Sequence, residues 1–386
     1  MASAPPSEFD GITPLIPPPA VQAPTFSASP EITEESIDRL QQQGFTRGLA
    51  LSLNSSKKTF RSRTWVVDNS GSMQACDGHK LVATGRQANQ VALVPSSRWE
   101  EIQECVTYHI QLAAAIESNT TFRLLNHPGA AVGPQQVKVA SIPGDTTLLG
   151  HEVNIAMEWI RNTRPNGCTP LTQHILEFQR EVAAQEQTLR ANGQKVALVL
   201  ATDGLPTDER GYGGSLHQEQ FLASLRTLEG LPVWIIIRLC TDEDPVVSFY
   251  NELDSQLELS IEVLDDFLGE AQEVYKQNPW LTYGLPLQRM RELGFQERIF
   301  DLLDERPLTK TELRDFVAIL FGSDAMDGVP DPFMDWDGFD QDVKLLLSKE
   351  SDTWNPITKK MEPWINMRKL NRIYGDKLKC EICQIM

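Results

Sequence analysis

An α/β fold with a doubly wound, mostly parallel sheet is predicted from Thr64 to about Asn278, followed by an appended helical C-terminal region. Three observations predict it. The stretches "VALVLA" at Val196–Ala201 and "VWIII" at Val233–Ile237 are apolar without alternation, as strands covered by helices on both faces are. Strand and helix signals alternate along the whole of this stretch, which is the order a parallel sheet with crossover helices requires. Strand signals then stop near 280, and "LTKTELRDFVAILFG" has the spacing of an amphipathic helix.

The elements follow in order. Residues 1–30 hold eight of the 24 prolines and almost no charge. Burial in such a segment cannot offset the entropy of folding, so a disordered leader is expected. Residues 31–59 are read as a short helical segment packed on the main domain, with its helix from Glu34 to about Leu53. The α/β domain is assigned to 60–279. Its strands are expected at Thr64–Asp68, Thr121–Leu125, Gln136–Ser141, Lys195–Thr202, Val233–Leu239 and Ile261–Leu264. Ser97 with Glu100 is a capping box, opening a helix whose apolar face runs Ile102, Cys105, His109, Leu112, Ile116. On that face His109 is read as a satisfied core histidine. Further helices are expected at 148–161, 170–191, 217–229, 245–257 and 268–277, with Asp244 capping the one that begins at Pro245. Asp266 is also read as a helix cap. In the region 280–376, Thr309 and Glu312 form a second capping box. Leu313, Phe316, Val317, Leu320 and Phe321 make one apolar face, which Gly322 ends. The acidic stretch 323–342 offers no register with Gly sixth and Glu twelfth, as an EF-hand needs, and reads as a solvated loop. Residues 377–386 are a flexible tail.

Composition narrows the function. A formal charge of −18 over 386 residues argues against nucleic acid as main partner, because phosphate binding needs a basic surface. No apolar run is long enough to span a bilayer, and the N-terminus lacks the parts of a secretory signal. Six scattered cysteines then suggest free thiols in a reducing compartment. The chain is expected to be intracellular.

"TWVVDNSGSMQ" at 64–74 holds the first chemical signal. A core strand ends in Asp68, with Ser70 and Ser72 on either side of Gly71, and Asp203 ends another such strand. Ligands of open doubly wound sheets bind beyond the carboxyl ends of strands, where strand order reverses. If these two strands are neighbours there, both carboxylates face one point, and Thr169 of "NGCTPL" can reach it. Two carboxylates and three hydroxyls are hard oxygen donors. They suit Mg²⁺ or Mn²⁺ and disfavour Zn²⁺.

The segments "DNSGS" (68–72), "GCTP" (167–170) and "TDG" (202–204), in this order on these elements, resemble the metal-ion-dependent adhesion site of a von Willebrand factor A domain. The resemblance covers about 60–279 and implies a Rossmann-like sheet. It also implies that Ser70, Ser72 and Thr169 touch the cation directly or nearly so, while Asp68 and Asp203 bond largely through water. One position is left for a Glu or Asp carboxylate of a partner protein. A cation whose carboxylates stand back still seeks an anion, whereas the acids at Asp208, Glu209, Asp242, Glu243, Asp265 and Asp266 would repel an acidic partner once the metal is gone. One departure from the family is the long insert 74–97, which could form a flap or hairpin over the metal face along with "ERGYGGS" (209–215), or could equally, like that loop, be variable surface padding.

The chain ends "CEICQIM", and Cys383 heads a four-residue prenylation box whose final Met favours farnesyl. One lipid anchors weakly. Cys380, as a palmitoylation site, and the basic residues Arg368, Lys369, Arg372, Lys377 and Lys379 would supply a second signal. A Cys-x-x-Cys redox pair or half a zinc site is the rival reading, and no second such pair exists to complete a zinc site.

No phosphate loop, dinucleotide motif, paired-histidine zinc motif or nucleophile elbow is present. The sequence therefore favours an intracellular protein-binding adaptor over an enzyme. Its von Willebrand A domain would capture an acidic side chain through Mg²⁺, and its lipidated C-terminus would tether it to the cytoplasmic face of a membrane. The competing readings are a Mg²⁺-dependent hydrolase on the same face and a lipid-anchored scaffold with an idle metal site.

Overall fold

The structure, a computed structural model, describes residues 31–83 and 91–375. The leader 1–30 and the tail with Cys380 and Cys383 lie outside the described residues.

Six strands make one sheet: β1 (Phe60–Val67), β4 (Thr120–Leu124), β5 (Gln136–Val139), β6 (Lys195–Thr202), β7 (Val233–Leu239) and β8 (Ile261–Leu264). The two missing numbers, β2 (Gly78–Ala83) and β3 (Val91–Ser96), form a separate antiparallel hairpin. The sheet order is β5-β4-β1-β6-β7-β8, all parallel except β5 against β4. The chain thus winds outward from β1 to β5, returns to the other flank of β1 as β6, and winds outward again to β8. This doubly wound, Rossmann-like order puts its reversal between β1 and β6, whose carboxyl ends frame a crevice.

The unalternating strands are explained by two covered faces. Along β6, Ala197, Val199 and Ala201 point into a core with the helices Arg98–Ala115 and Thr146–Asn162. The intervening Val196, Leu198 and Leu200 point into a second core with the helices Leu171–Ala183, Ser215–Arg226 and Asp244–Asn251. Period-two geometry sends alternate residues to opposite faces, so a strand buried twice must be apolar throughout.

A third core lies outside the sheet. It joins the helices Glu34–Gln42 and Arg47–Thr59 to Leu285–Glu292, Lys310–Phe321, Trp336–Leu347 and Met367–Tyr374, with Trp280 and Trp364 among its buried residues. Leu112, Ala115, Ile116, Ala271 and Val274 from the helices beside the sheet also enter it.

Both capping boxes form as expected, at Ser97–Glu100 and Thr309–Glu312. Several boundaries differ from the sequence reading. The helix expected at 34–53 is two, broken at Gln43–Thr46, where Gly44 adopts φ +92° and Thr46 caps the second helix by accepting from Leu49 N. The helix expected over 170–191 breaks after Ala183, and that expected over 245–257 breaks after Asn251. Asp244 is not a cap. The helix begins at Asp244 itself, and Glu243 before it makes no side-chain cap bond. Asp266 does cap its helix, accepting from Gly269 N at 2.6 Å. Strands do not stop at 280, because a short hairpin of β9 (Thr353–Asn355) and β10 (Lys360–Glu362) follows. Three-residue strands leave too few positions for a period to show. The acidic stretch 323–342 is not all loop either. Its last part is helical from Trp336 and capped by Asp335.

Candidate metal site

Asp68 immediately follows β1 and Asp203 immediately follows β6, so the neighbouring strands deliver both carboxylates to the crevice. Both are buried, at 0% and 2% exposure. Asp68 Oδ1 accepts from Ser70 N at 2.8 Å, and its Oδ2 accepts from Thr202 Oγ1 at 2.7 Å. Ser70 Oγ and Ser72 Oγ share a hydrogen bond at 3.0 Å, and Ser72 Oγ donates to Asp203 Oδ1 at 2.9 Å. The turn from Gly71 to Gln74 is a single 3₁₀ turn, tight enough to bring both serines to one side.

Thr169 arrives from the loop before Leu171–Ala183. Asn126, just beyond β4, holds that loop: its Nδ2 donates to Cys168 O at 2.7 Å and its Oδ1 accepts from Cys168 N. Asn69 holds Asn126 in turn, through a bond in each direction. Gly167 is required by this fit. Its φ is +83°, and a Cβ there would fall 2.4 Å from Asn126 Oδ1. Gly71 N donates to Gly167 O, and Thr169 exchanges bonds with Thr207 of the next loop. Thr169 is 5% exposed, beside Gly204, and its Oγ1 makes no hydrogen bond among the described residues. Four loops are therefore tied together at the carboxyl edge of the sheet.

The electrostatics are unbalanced. Burial pushes the Asp68 carboxyl up to about 7, and the charge of Asp203 adds to it, against hydrogen bonds from Ser70 and Thr202 that pull it down. Burial also raises Asp203, despite bonds from Arg98 and Ser72. Two carboxylates held in one dry place need positive charge to ionise together. The free hydroxyl of Thr169, the paired serines and the two raised carboxyls are a donor set that fits a hard dication such as Mg²⁺. Asp68, Ser70, Ser72, Thr169 and Asp203 would hold it.

The sequence matches no family model, and no curated protein matches it.

A second group of ligand-type atoms is deeply buried. Cys105, His109 and Glu292 offer atoms within 4.8 Å of one another and could hold a metal ion. In the structure Glu292 is already engaged: Arg289 Nη1 donates at 2.7 Å, Arg238 Nε lies 3.7 Å away, and His109 Nε2 donates at 2.8 Å. Burial alone would raise Glu292, but Arg289, then His109 and Arg238, hold it well below its usual range, while burial lowers His109. His109 is the core histidine expected from the sequence, but only half satisfied: Nε2 donates to Glu292 while the buried Nδ1 has no hydrogen-bond partner among the described residues. Its partner comes from a helix far along the chain, which helix periodicity does not reveal.

The insert after the site does form a hairpin, but its backbone leans on the helix Arg98–Ala115: Glu101 accepts from His79 N and Glu104 from Leu81 N. Its root reaches the site region through Asp77, which pairs with Arg98. Sequence reasoning missed Arg98, Thr202, Asn69, Asn126 and Thr207. Arg98 carried no signal, since the first residue after a helix cap is commonly a solvated charge. Of the acids expected on this face, Asp208 serves its own turn, accepting from Arg210 N and Tyr212 N, and Glu243 pairs with Arg98.

Proposed function

We propose that this chain is a von Willebrand factor A protein that acts as a protein-binding adaptor, capturing a Glu or Asp side chain of a partner through Mg²⁺ or Mn²⁺. The observation that carries the reading is the pair of buried carboxylates, Asp68 and Asp203, at the reversal of strand order, bridged by Ser70 and Ser72 with Thr169 Oγ1 uncommitted. A dication there supplies positive charge beyond the single guanidinium of Arg98 at Asp203, and its remaining coordination is open to an anion. Exposed groups that can meet a protein surface follow the β6 strand: Tyr212 in the loop is 67% exposed, and Leu216 in the first turn of the helix Ser215–Arg226 is 60% exposed.

No described helix is long and apolar enough to cross a membrane. Attachment to a membrane would rest on farnesylation of Cys383, supported by Cys380 and the basic residues before it. A mass increment on Cys383 in natively expressed protein tests that part, and an intact, unmodified Gln384–Met386 end defeats it.

The test of the whole reading is partner capture in Mg²⁺ and in EDTA, beside Asp68→Ala. Proteins retained only with Mg²⁺ and only by the unmutated chain support metal-dependent recognition. The same proteins in all three conditions would show that the metal site has no part in it.

A further inference from the structure

We infer that Arg98 is a built-in counter-cation of the metal site, weakening its hold on the dication while sharpening the loaded site's attraction for a carboxylate. This rests on the reading of Asp68, Ser70, Ser72, Thr169 and Asp203 as the metal-holding set. Arg98 opens the helix that follows the insert and is 5% exposed in its side chain. Its Nη1 donates to Asp203 Oδ2 at 3.0 Å, the oxygen not used by Ser72. Its outward edge is held by Asp77, at 2.7 Å from Nε and 2.6 Å from Nη2, and by Glu243 at 2.8 Å. Those two acids are 56% and 60% exposed, so solvent screens them. Asp203 is buried, and its pairing with Arg98 is screened far less.

The charge balance decides the sign. Asp68 and Asp203 carry two negative charges and a bound dication cancels both. Arg98 then adds positive charge at the buried pair, reduced but not cancelled by its solvent-exposed partners Asp77 and Glu243. Such a centre binds its metal less tightly than two bare carboxylates would, and it attracts one further anion more strongly. Asp77, on the insert, and Glu243, after β7, fix the guanidinium in place, so the loops flanking the crevice set the strength of this effect.

The test is calorimetric titration of the full chain with MgCl₂ and MnCl₂, comparing wild type, Arg98→Met and Arg98→Lys. Arg98→Met is expected to bind Mg²⁺ on the order of tenfold more tightly, and Arg98→Lys, which keeps the charge, is expected to stay within about threefold of wild type. Repeating the titration with sodium acetate in place of chloride, at equal ionic strength, reads the second half. Acetate should tighten Mn²⁺ binding to wild type, as linkage requires, and do so less in Arg98→Met. Circular dichroism melts confirm that each variant is folded. If Arg98→Met proves unfolded, Arg98→Gln, equally uncharged but still able to donate to Asp203, takes its place with the same tightening expected. A folded Arg98→Met that binds Mg²⁺ equally or more weakly overturns the inference and leaves the metal site standing. A wild-type chain that binds neither ion removes the metal site and this inference with it.

Discussion

Thr169 and Asp68 separate what the crevice does for the metal from what it does for the fold. The Thr169 hydroxyl has no hydrogen bond among the described residues, so Thr169→Val should change metal-free stability by no more than about 0.5 kcal/mol. The same substitution should weaken Mg²⁺ binding by about tenfold or more, measured by titration calorimetry. Asp68 works the other way. Its folded carboxyl is raised to about 7 from an ordinary 3.8, so between those values the folded chain holds a proton that the unfolded chain has released. The contribution to stability is present below about pH 4 and is lost as pH rises through about 7. Denaturation melts without metal should show this loss, and saturating Mg²⁺ should offset it at neutral pH. Melts that are flat over this window, or Mg²⁺ without effect on them, would contradict the burial and pairing assigned to the two carboxylates.

Single helices carry their own tests. The helix Arg47–Thr59 crosses Lys310–Phe321 at Gly48, where a Cβ would meet Gly322 N at 2.2 Å and Phe321 C at 2.4 Å. Backbone cannot yield as a flexible side chain does, so Gly48→Ala should destabilise by about 1–3 kcal/mol or more, against the usual gain of Ala over Gly in a helix. An unchanged urea midpoint would refute the close crossing. At the start of Lys310–Phe321, Glu312 bonds Arg306 and the capping Thr309, and these hold its carboxyl down at about 2. That stabilisation is present above about pH 4.5 and is lost as pH falls towards 2. Thr309→Ala should cost about 1 kcal/mol, and Glu312→Gln should flatten the acid limb of the stability profile.

At the scale of the molecule, the sheet and the helical core are joined by a buried charge cluster. Cys105 and His109 come from the helix Arg98–Ala115, Arg238 from β7, and Arg289 and Glu292 from Leu285–Glu292. Glu292 accepts from His109 and Arg289, and Arg238 Nε lies 3.7 Å from it. Glu292→Ala would leave the buried Arg289 guanidinium without its bonded carboxylate, while Arg238 keeps Glu101, and should cost about 3 kcal/mol. The urea midpoint should fall accordingly, and near-ultraviolet circular dichroism should report loosened packing of the buried Trp65, which lies 4.4 Å from the His109 ring. A small change would mean that water reaches the cluster.

The sequence by itself determined what is local. The strands Lys195–Thr202, Val233–Leu239 and Ile261–Leu264 fall where the sequence reading puts them, because apolar runs bounded by polar residues fix a strand within its own length. Both capping boxes were legible for the same reason, since their partners stand three residues apart. The positions of Asp68 and Asp203 at strand ends could be read as well. Tertiary structure decided which strands are neighbours, and so that β1 and β6 bring those two residues to one crevice. It alone placed Arg98 on Asp203, Asn126 on the loop of Thr169, and Glu292 on His109, pairs separated by 42 to 183 residues. It also made one core of helices from both ends of the described chain. Such contacts depend on where the folded backbone carries each side chain, and spacing along the sequence holds no record of that.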